Sequence, residues 1–328
     1  MKNLLVSIVT VSKNSAKFIE DNLLSVKHQD YPDIEHIVVD GASTDSTVDI
    51  LRQYKSVRWI SEPDEGFTDA INKGIAMSSG DILAIQNSDD AYYSADAVSK
   101  AVAVMSHHPE AGAIFGNCAF VDMNGKVLEY FQGGGRRFNF PALLCTEMTI
   151  PLPSAFIRGS ALKAAIDSKL ECSMVPDWEL WAMLGLKFPI VYVPETFGIF
   201  RKRNDQASAS TGFAHESAPQ QRVVLDKIFQ NPDLPSKIRT LQKRAYAGTY
   251  TNQASVFLNL GNKGKARQCI GTAIRIYPPY LFNMVAIAYL MRALGFGKLV
   301  DWAAAIRRYI LKPPVSAQGN EIVNWWRY

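Results

Sequence analysis

The residues of this chain best suited to chemistry are two adjacent carboxylates, Asp89 and Asp90. They end the apolar run Ile82-Leu83-Ala84-Ile85 by way of Gln86, Asn87 and Ser88. The run is too short for a helix and rich in branched side chains, so it reads as a buried strand. Paired carboxylates at a strand end suit a hard divalent cation, and such a cation grips phosphate oxygens as well. The same residues also suit a turn or a helix cap, the commoner use of Asx-rich strand ends. Two further apolar runs end in polar residues: 6–11 leads to Ser12, and 34–39 leads to Asp40-Gly41. In an open α/β sheet such ends gather along one edge, where ligands bind. Three polar ends on one rim favour a nucleotide pocket. Another carboxylate, Asp177, follows Pro176 and precedes the helical stretch 178–186, the position of an N-cap.

The elements that must carry these residues alternate strand and helix through the first 90 positions. Asn14-Ser15 opens an amphipathic helix with Ile19, Leu23 and Val26 on one face. Ser46 is placed to cap a second helix, with Asp49 completing an approximate capping box. A strand at 57–60 and a helix at 68–78, stopped by Gly80, lead into the strand that ends at Asp89-Asp90. Repeated βα units imply right-handed crossovers and a parallel sheet with helices on both faces. Residues 113–115 continue the sheet, and Asn124-Gly125 between 118–121 and 127–130 marks a hairpin. Gly133-Gly134-Gly135-Arg136-Arg137 lacks the Lys-Ser/Thr of a phosphate loop; it reads as a loop near a second substrate or as a surface turn. A short strand is expected within 148–156 and another at 190–193.

Five blocks resemble the family 2 glycosyltransferases of the GT-A fold, in the order and spacing of that family. They are Ser7-Ile8-Val9-Thr10-Val11-Ser12-Lys13-Asn14, Val38-Val39-Asp40-Gly41-Ala42-Ser43-Thr44-Asp45, Glu62-Pro63-Asp64-Glu65-Gly66-Phe67-Thr68-Asp69-Ala70-Ile71-Asn72-Lys73-Gly74, Asn87-Ser88-Asp89-Asp90, and Pro176-Asp177-Trp178-Glu179-Leu180-Trp181. The resemblance covers residues 4–210. It implies a GT-A type mixed α/β sheet flanked by helices, and inverting transfer of a sugar from a nucleotide-sugar donor to a glycan or lipid-linked acceptor in cell-surface polysaccharide synthesis. It implies a divalent cation, Mn²⁺ or Mg²⁺, on the departing diphosphate. Thr10, Val11 and Ser12 would line the nucleotide together with Asp69 and Asn87, Asp40 would hold its base and Asp89 its ribose. Asp90 would ligate the metal, with Asp89 alternating in that role, and Asp177 would be the general base; Glu179 is the second candidate for the base, expected instead to orient or pack nearby. Asn87 stands where many relatives carry an acid. Arg203 stands where relatives often carry a histidine; a charged guanidinium cannot ligate a metal but pairs with phosphate. The stretch Arg201-Lys202-Arg203 reads otherwise as a solvated basic loop. A GT-A-like scaffold that binds without catalysing, recruiting partners through its tail, is the alternative; the presence of Asp40, Asp89, Asp90 and Asp177 argues against it.

Composition frames this reading. The chain has 328 residues, 48% of them apolar, enough to bury a sizeable core. Thirty-five Lys and Arg against 31 acids is too mild a balance for nucleic-acid binding. Cys118, Cys145, Cys172 and Cys269 have no metal-ligand spacing and suit the reduced core of a cytoplasmic protein. The apolar start runs into a strand and lacks a cleavage site, and no apolar stretch reaches the roughly 18 residues of a membrane span. Beyond a catalytic domain of residues 1–210, residues 211–328 read as a helical region. Pro232 and Pro235 break a first helix from a second, and Gly261 divides the second from a third in the manner of a helical hairpin. Two apolar helices at 280–294 and 298–311 carry Arg292, Lys298, Arg307 and Arg308, and Trp325-Trp326-Arg327-Tyr328 ends the chain. They read either as packed helices with snorkelling cations or as a peripheral contact with the inner face of the membrane.

Overall fold

In the computed structural model, residues 4–131, 138–145, 150–166, 169–203 and 211–299 are described. The glycine-rich stretch 133–137 and the helix expected beyond 299 lie outside them. The chain divides into two compact units. The first holds 4–140 and 150–203, the second 141–145 and 211–299. The boundary expected at residue 210 lies outside the described residues, and segment 141–145, inside the expected catalytic domain, belongs with the second unit.

The first unit is built on one nine-stranded sheet. Its opening half follows the expected alternation: β1 (Val6–Ser12), α1 (Ile19–Lys27), β2 (Ile34–Asp40), α2 (Thr47–Leu51), β3 (Val57–Ser61), α3 (Phe67–Met77) and β4 (Ile82–Asn87). There follow β5 (Ala91–Tyr92), α4 (Ala97–His107), β6 (Ala113–Val121), β7 (Val127–Phe131), α5 (Phe140–Leu144), β8 (Ala155–Arg158), α6 (Gly159–Ala165), α7 (Pro176–Lys187) and β9 (Ile190–Arg201). The sheet order is β3-β2-β1-β4-β8-β6-β9-β5, with β7 paired to β6. The first four strands are parallel, as the βα repeats require. β8 runs antiparallel to both β4 and β6, so the sheet is mixed rather than wholly parallel. β8 is entered from the turn at Leu152–Ser154.

The faces of the sheet are covered as the periodicities demand. Ile8, Ala84 and Phe156 pack with Ala97, Ala101 and Met105 of α4, and Ile19 and Leu23 of α1 with Val38 and Leu51. Gly74 of α3 lets that helix lie against Val9; a β-carbon there would stand 2.2 Å from the Val9 side chain. Local signals were less reliable than periodicity. Ser46 precedes α2 without capping it, and the oxygen that accepts from Thr47 N (3.0 Å) belongs to Asp45. Asn124-Gly125 does turn the β6–β7 hairpin, with Gly125 at φ 83°.

The second unit is helical: α8 (Thr211–Gln230), α9 (Ser236–Arg239), α10 (Gln242–Asn259), α11 (Lys263–Ile276) and α12 (Met284–Ala293). Pro235 and Gly261 divide the helices where expected, Gly261 at φ 74°. Ala254 and Phe257 of α10, Ala266 and Ile270 of α11 and Ala293 of α12 form its core. Among the described residues no helix is long and apolar enough to cross a membrane.

Candidate active site

Parallel register brings the polar strand ends together. Ser12 lies opposite Asp40, Asp40 opposite Ser61, and Val11 opposite Asn87. Asp40 is fully buried, and its carboxylate accepts from Ser43 N (2.9 Å), Ser43 Oγ (2.5 Å) and Ser61 Oγ (2.7 Å). Those bonds fix the loop after β2, where Ala42 takes a left-handed φ of 54°. Asn14, also left-handed at 50°, ties the loop after β1 to it, donating from N to Ser43 Oγ and accepting from Thr44 N. Gly41 admits Asp64 so closely that a β-carbon would sit 2.1 Å from its Oδ2. The Ser12 hydroxyl is buried in this rim with no hydrogen-bond partner, an arrangement that calls for an explanation.

The turn at 87–90 separates the two adjacent carboxylates. Asp90 is 1% exposed; its Oδ2 accepts from Asn87 Nδ2 (2.8 Å) and its Oδ1 from Arg201 N (3.4 Å). Burial first, and the neighbouring Asp89 charge second, push its carboxyl well above the usual range. Asp89 is the more open of the two and pairs with Arg203 Nη1 at 3.4 Å. Arg201 is 2% exposed and bridges to Asp21 Oδ2 at 3.0 Å. It therefore belongs to β9 and not to a solvated loop, contrary to that expectation. Arg201 and Arg203 both lie over the ring of Phe18, at 5.0 and 5.6 Å from its centre.

The side chains of two nucleotide candidates, Thr10 and Asp69, have partners within the protein. The Thr10 side chain is fully buried and bonds Asn22 Oδ1 and His36 Nε2, both at 2.9 Å. Asn22 donates on to Gln86 Oε1 (2.8 Å) and to the Asp90 carbonyl (3.1 Å). This buried network underpins the 87–90 turn, and desolvation drives His36 within it down to about 3. Asp69 is in the first turn of α3, where it accepts from Glu65 N (3.2 Å) and pairs with Lys73 (3.1 Å). Lys73, and next the Glu65 N–H, lower its carboxyl pKa. Its position also gives it a helix-start role.

Asp177 is the second residue of α7 and does not cap it: Val175 is the N-cap residue, and no side chain caps the helix there. Its Oδ1 accepts from Trp178 N at 2.8 Å, and burial raises its carboxyl. Topology places it on the rim. β9 is parallel to β6 and starts just after α7, so a helix of about 18 Å returns from the rim to the opposite edge. The segment before it is clamped from two sides. Thr68 Oγ1 donates to the Cys172 carbonyl (2.7 Å), and Asn72 makes reciprocal bonds with Leu170, both 2.9 Å. Glu179, 4% exposed, accepts from Glu171 N (2.9 Å) and Cys172 N (2.8 Å). Glu179 is thus committed to backbone and holds the approach to Asp177. Sequence reasoning missed Thr68, Asn72, Ser43 and Ser61. The first two lie inside a recognised block, but their partner, 98 or more positions away, has no sequence mark.

Among the described residues no three His, Cys, Asp or Glu side chains cluster to hold a metal by themselves. Asp89 supplies one reachable carboxylate, with Arg203 beside it. That donor set fits a cation that takes its other ligands from a diphosphate and water, the usual habit of Mg²⁺.

Residues 7–158 match the family model described as Glycosyl transferase family 2. An uncharacterized glycosyltransferase of Mycobacterium tuberculosis is 39% identical over 164 residues, 49% of this chain and 61% of that protein. The chain thus spans about three fifths of that curated relative. The structure of S. aureus TarS 1-349 in complex with UDP-GlcNAc superposes with a TM-score of 0.64 at 17% identity, covering 92% of each chain. A mannosyltransferase from Pyrobaculum calidifontis in complex with GDP-Man and Mn²⁺ does so with 0.56 at 16% identity, over 95% of this chain and 89% of that one. At such identities the overlap speaks for the fold, and the fold is the GT-A type expected.

Proposed function

We propose, from the match of residues 7–158 to the glycosyl transferase family 2 model, that this chain transfers a sugar, with inversion, from a nucleotide-sugar donor to a glycan or lipid-linked acceptor. The observation that carries the proposal is the rim of strand ends, Ser12, Asp40, Ser61 and Asn87 in register with Asp89 at the following turn; the direction of α7 supports setting Asp177 on the same edge. The UDP-GlcNAc and GDP-Man bound by the two structural relatives support a nucleotide-sugar donor. The loop that Asp40 holds through Ser43 and Ser61 meets the nucleoside, with the Ser12 hydroxyl beside it. Asp89 faces the diphosphate side, and we assign it the metal in preference to Asp90, whose carboxylate is buried and taken by Asn87 and Arg201 N. A divalent cation held there by Asp89 would supply Lewis-acid neutralisation of the departing diphosphate. Arg203 is placed to exchange Asp89 for a phosphate oxygen.

Asp177 takes the proton of the acceptor hydroxyl as that oxygen attacks the anomeric carbon. The bond from that carbon to the diphosphate oxygen breaks, and its electron pair leaves with the nucleoside diphosphate. One displacement suffices, so no covalent intermediate on the protein is required. We place the reaction in the cytoplasm, where no disulfide is expected and none joins the four cysteines. Surface-polysaccharide synthesis is the setting that the sequence resemblance supports.

The test is thermal shift against a panel of nucleoside diphosphate sugars with and without Mn²⁺ or Mg²⁺, since binding to the native state raises stability by mass action. A metal-dependent shift with at least one donor, lost in Asp89→Ala and retained in Asp177→Asn, is expected. A flat response across the panel would refute the donor reading, and an Asp89→Ala variant with unchanged metal dependence would refute the metal assignment.

A further inference from the structure

The far end of the helical unit has a surface unlike the rest of the chain. From Ser236 to Leu299 there are ten Lys and Arg and no Asp or Glu, although the whole chain carries 35 against 31. Within that stretch α12 is apolar on both sides. Ala286 and Ala293 are buried in the unit's core, while Met284 and Ile287 on the other side are exposed, Met284 by 73%. Phe282, just before the helix, is 85% exposed, and Leu294, Phe296 and Leu299 beyond it are each at least half exposed. Apolar surface concentrated in this way marks a contact face. Beside it lies a cleft of about 430 Å³ whose lining includes Ser255, Asn259, Lys263, Tyr289, Arg292 and Lys298, and no acid. Lys263 also begins α11, so the positive end of that helix adds to the field.

We propose that this face docks on an anionic phospholipid bilayer. Phe282, Met284, Phe296 and Leu299 enter the boundary between headgroups and acyl chains, and the cleft receives a lipid phosphate. Charge complementarity selects this occupant. An apolar protein groove would shelter α12 but leave the cations unmatched, whereas an anionic interface satisfies both. The contact is peripheral, since no described helix is long and apolar enough to span. It is independent of the glycosyl-transfer reading.

The full chain is sedimented with vesicles rich in phosphatidylglycerol and with pure phosphatidylcholine vesicles, at low and high salt. Binding to the first at low salt, weakened at high salt, is expected. Phe282→Ser with Met284→Ser should weaken it roughly tenfold or more, and Lys263→Ser with Lys298→Ser about fivefold per cation. Both pairs are on the surface, so melting temperatures should not move; should one move, Phe282→Ser alone carries the test. Three results overturn the proposal: a protein that ignores anionic vesicles at low salt, an apolar double variant that binds like the parent, or retention by a nucleic acid or acidic peptide without vesicle binding.

Discussion

Asp177 and Glu179 sit two positions apart on one helix turn, both acidic, and the structure gives them opposite work. Glu179 spends its oxygen on two backbone N–H groups, while Asp177 keeps an oxygen beyond its bond to Trp178 N and is harder to ionise because it is partly desolvated. Asp177→Asn should keep the fold and donor affinity while transfer falls by roughly 10²–10⁴, the usual worth of a general base. A base whose pKa is raised loses activity, as pH falls, sooner than an ordinary aspartate would. The parent's rate should therefore show an acidic limb above about pH 3.9, and the variant's residual rate should lack it; a pH–rate profile of both checks this. His36 bears on stability instead. Its folded pKa is depressed to about 3, so below about 6.5 the unfolded chain takes up a proton that the folded one refuses. Stability is then lost as pH falls from that value towards about 3. Between about pH 7 and about pH 4.5, His36→Gln should lose about 3 kcal/mol less than the parent in urea titrations followed by tryptophan fluorescence. An equal loss in both proteins would remove His36 from the account.

Among the elements, α3 and α7 act as a pair across the segment 170–172. Their bonds to it come from Thr68, Asn72 and Glu179, and that segment sets where α7 begins. Glu179→Ala leaves two N–H groups without their acceptor, at about 1–3 kcal/mol each, and frees the approach to Asp177. We expect kcat to fall at least tenfold with donor affinity within about twofold, because the strand-end contacts to the nucleotide are untouched. Steady-state kinetics beside donor titration separates the two. A parallel loss of donor affinity would mean that the clamp shapes the nucleotide side as well. Thr68→Val, which removes one hydroxyl and keeps the shape, should show the same pattern at about 1 kcal/mol.

For the whole molecule, the chain's two units are not two consecutive stretches. Segment 141–145 is contributed to the helical unit from within the first 210 residues, and Leu143, Leu144 and Cys145 on it are buried. We propose that the functional division still follows residue 210, with the donor chemistry wholly before it. A fragment ending there should nonetheless pay for the apolar side chains it uncovers. The expected outcome is a fragment that binds donor but melts below the parent and binds a hydrophobic dye such as ANS. A fragment as stable as the parent, with no dye binding, would show that 141–145 folds without the helices.

Much of the framework was legible because it depends on local periodicity. Alternating apolar runs and amphipathic turns placed β1 to β4, the three helices between them and the hairpin at Gly125, and the strand-end positions of Ser12, Asp40 and Asn87 followed from parallel connectivity alone. The five blocks identified the chemistry, since residue types at fixed spacing are a property of the chain. Everything decided by partners distant in sequence was invisible. Nothing in the sequence showed that Asn87 and Arg201 bond the Asp90 oxygens or that Asn22 and His36 enclose the Thr10 side chain. Arg201 read as solvated until β9 carried it to Asp21, 180 positions away. Which of two adjacent carboxylates faces a ligand, and which of two acids on one helix turn keeps a free oxygen, are questions of burial and of hydrogen-bond competition. Only the folded chain brings the competing donors within reach.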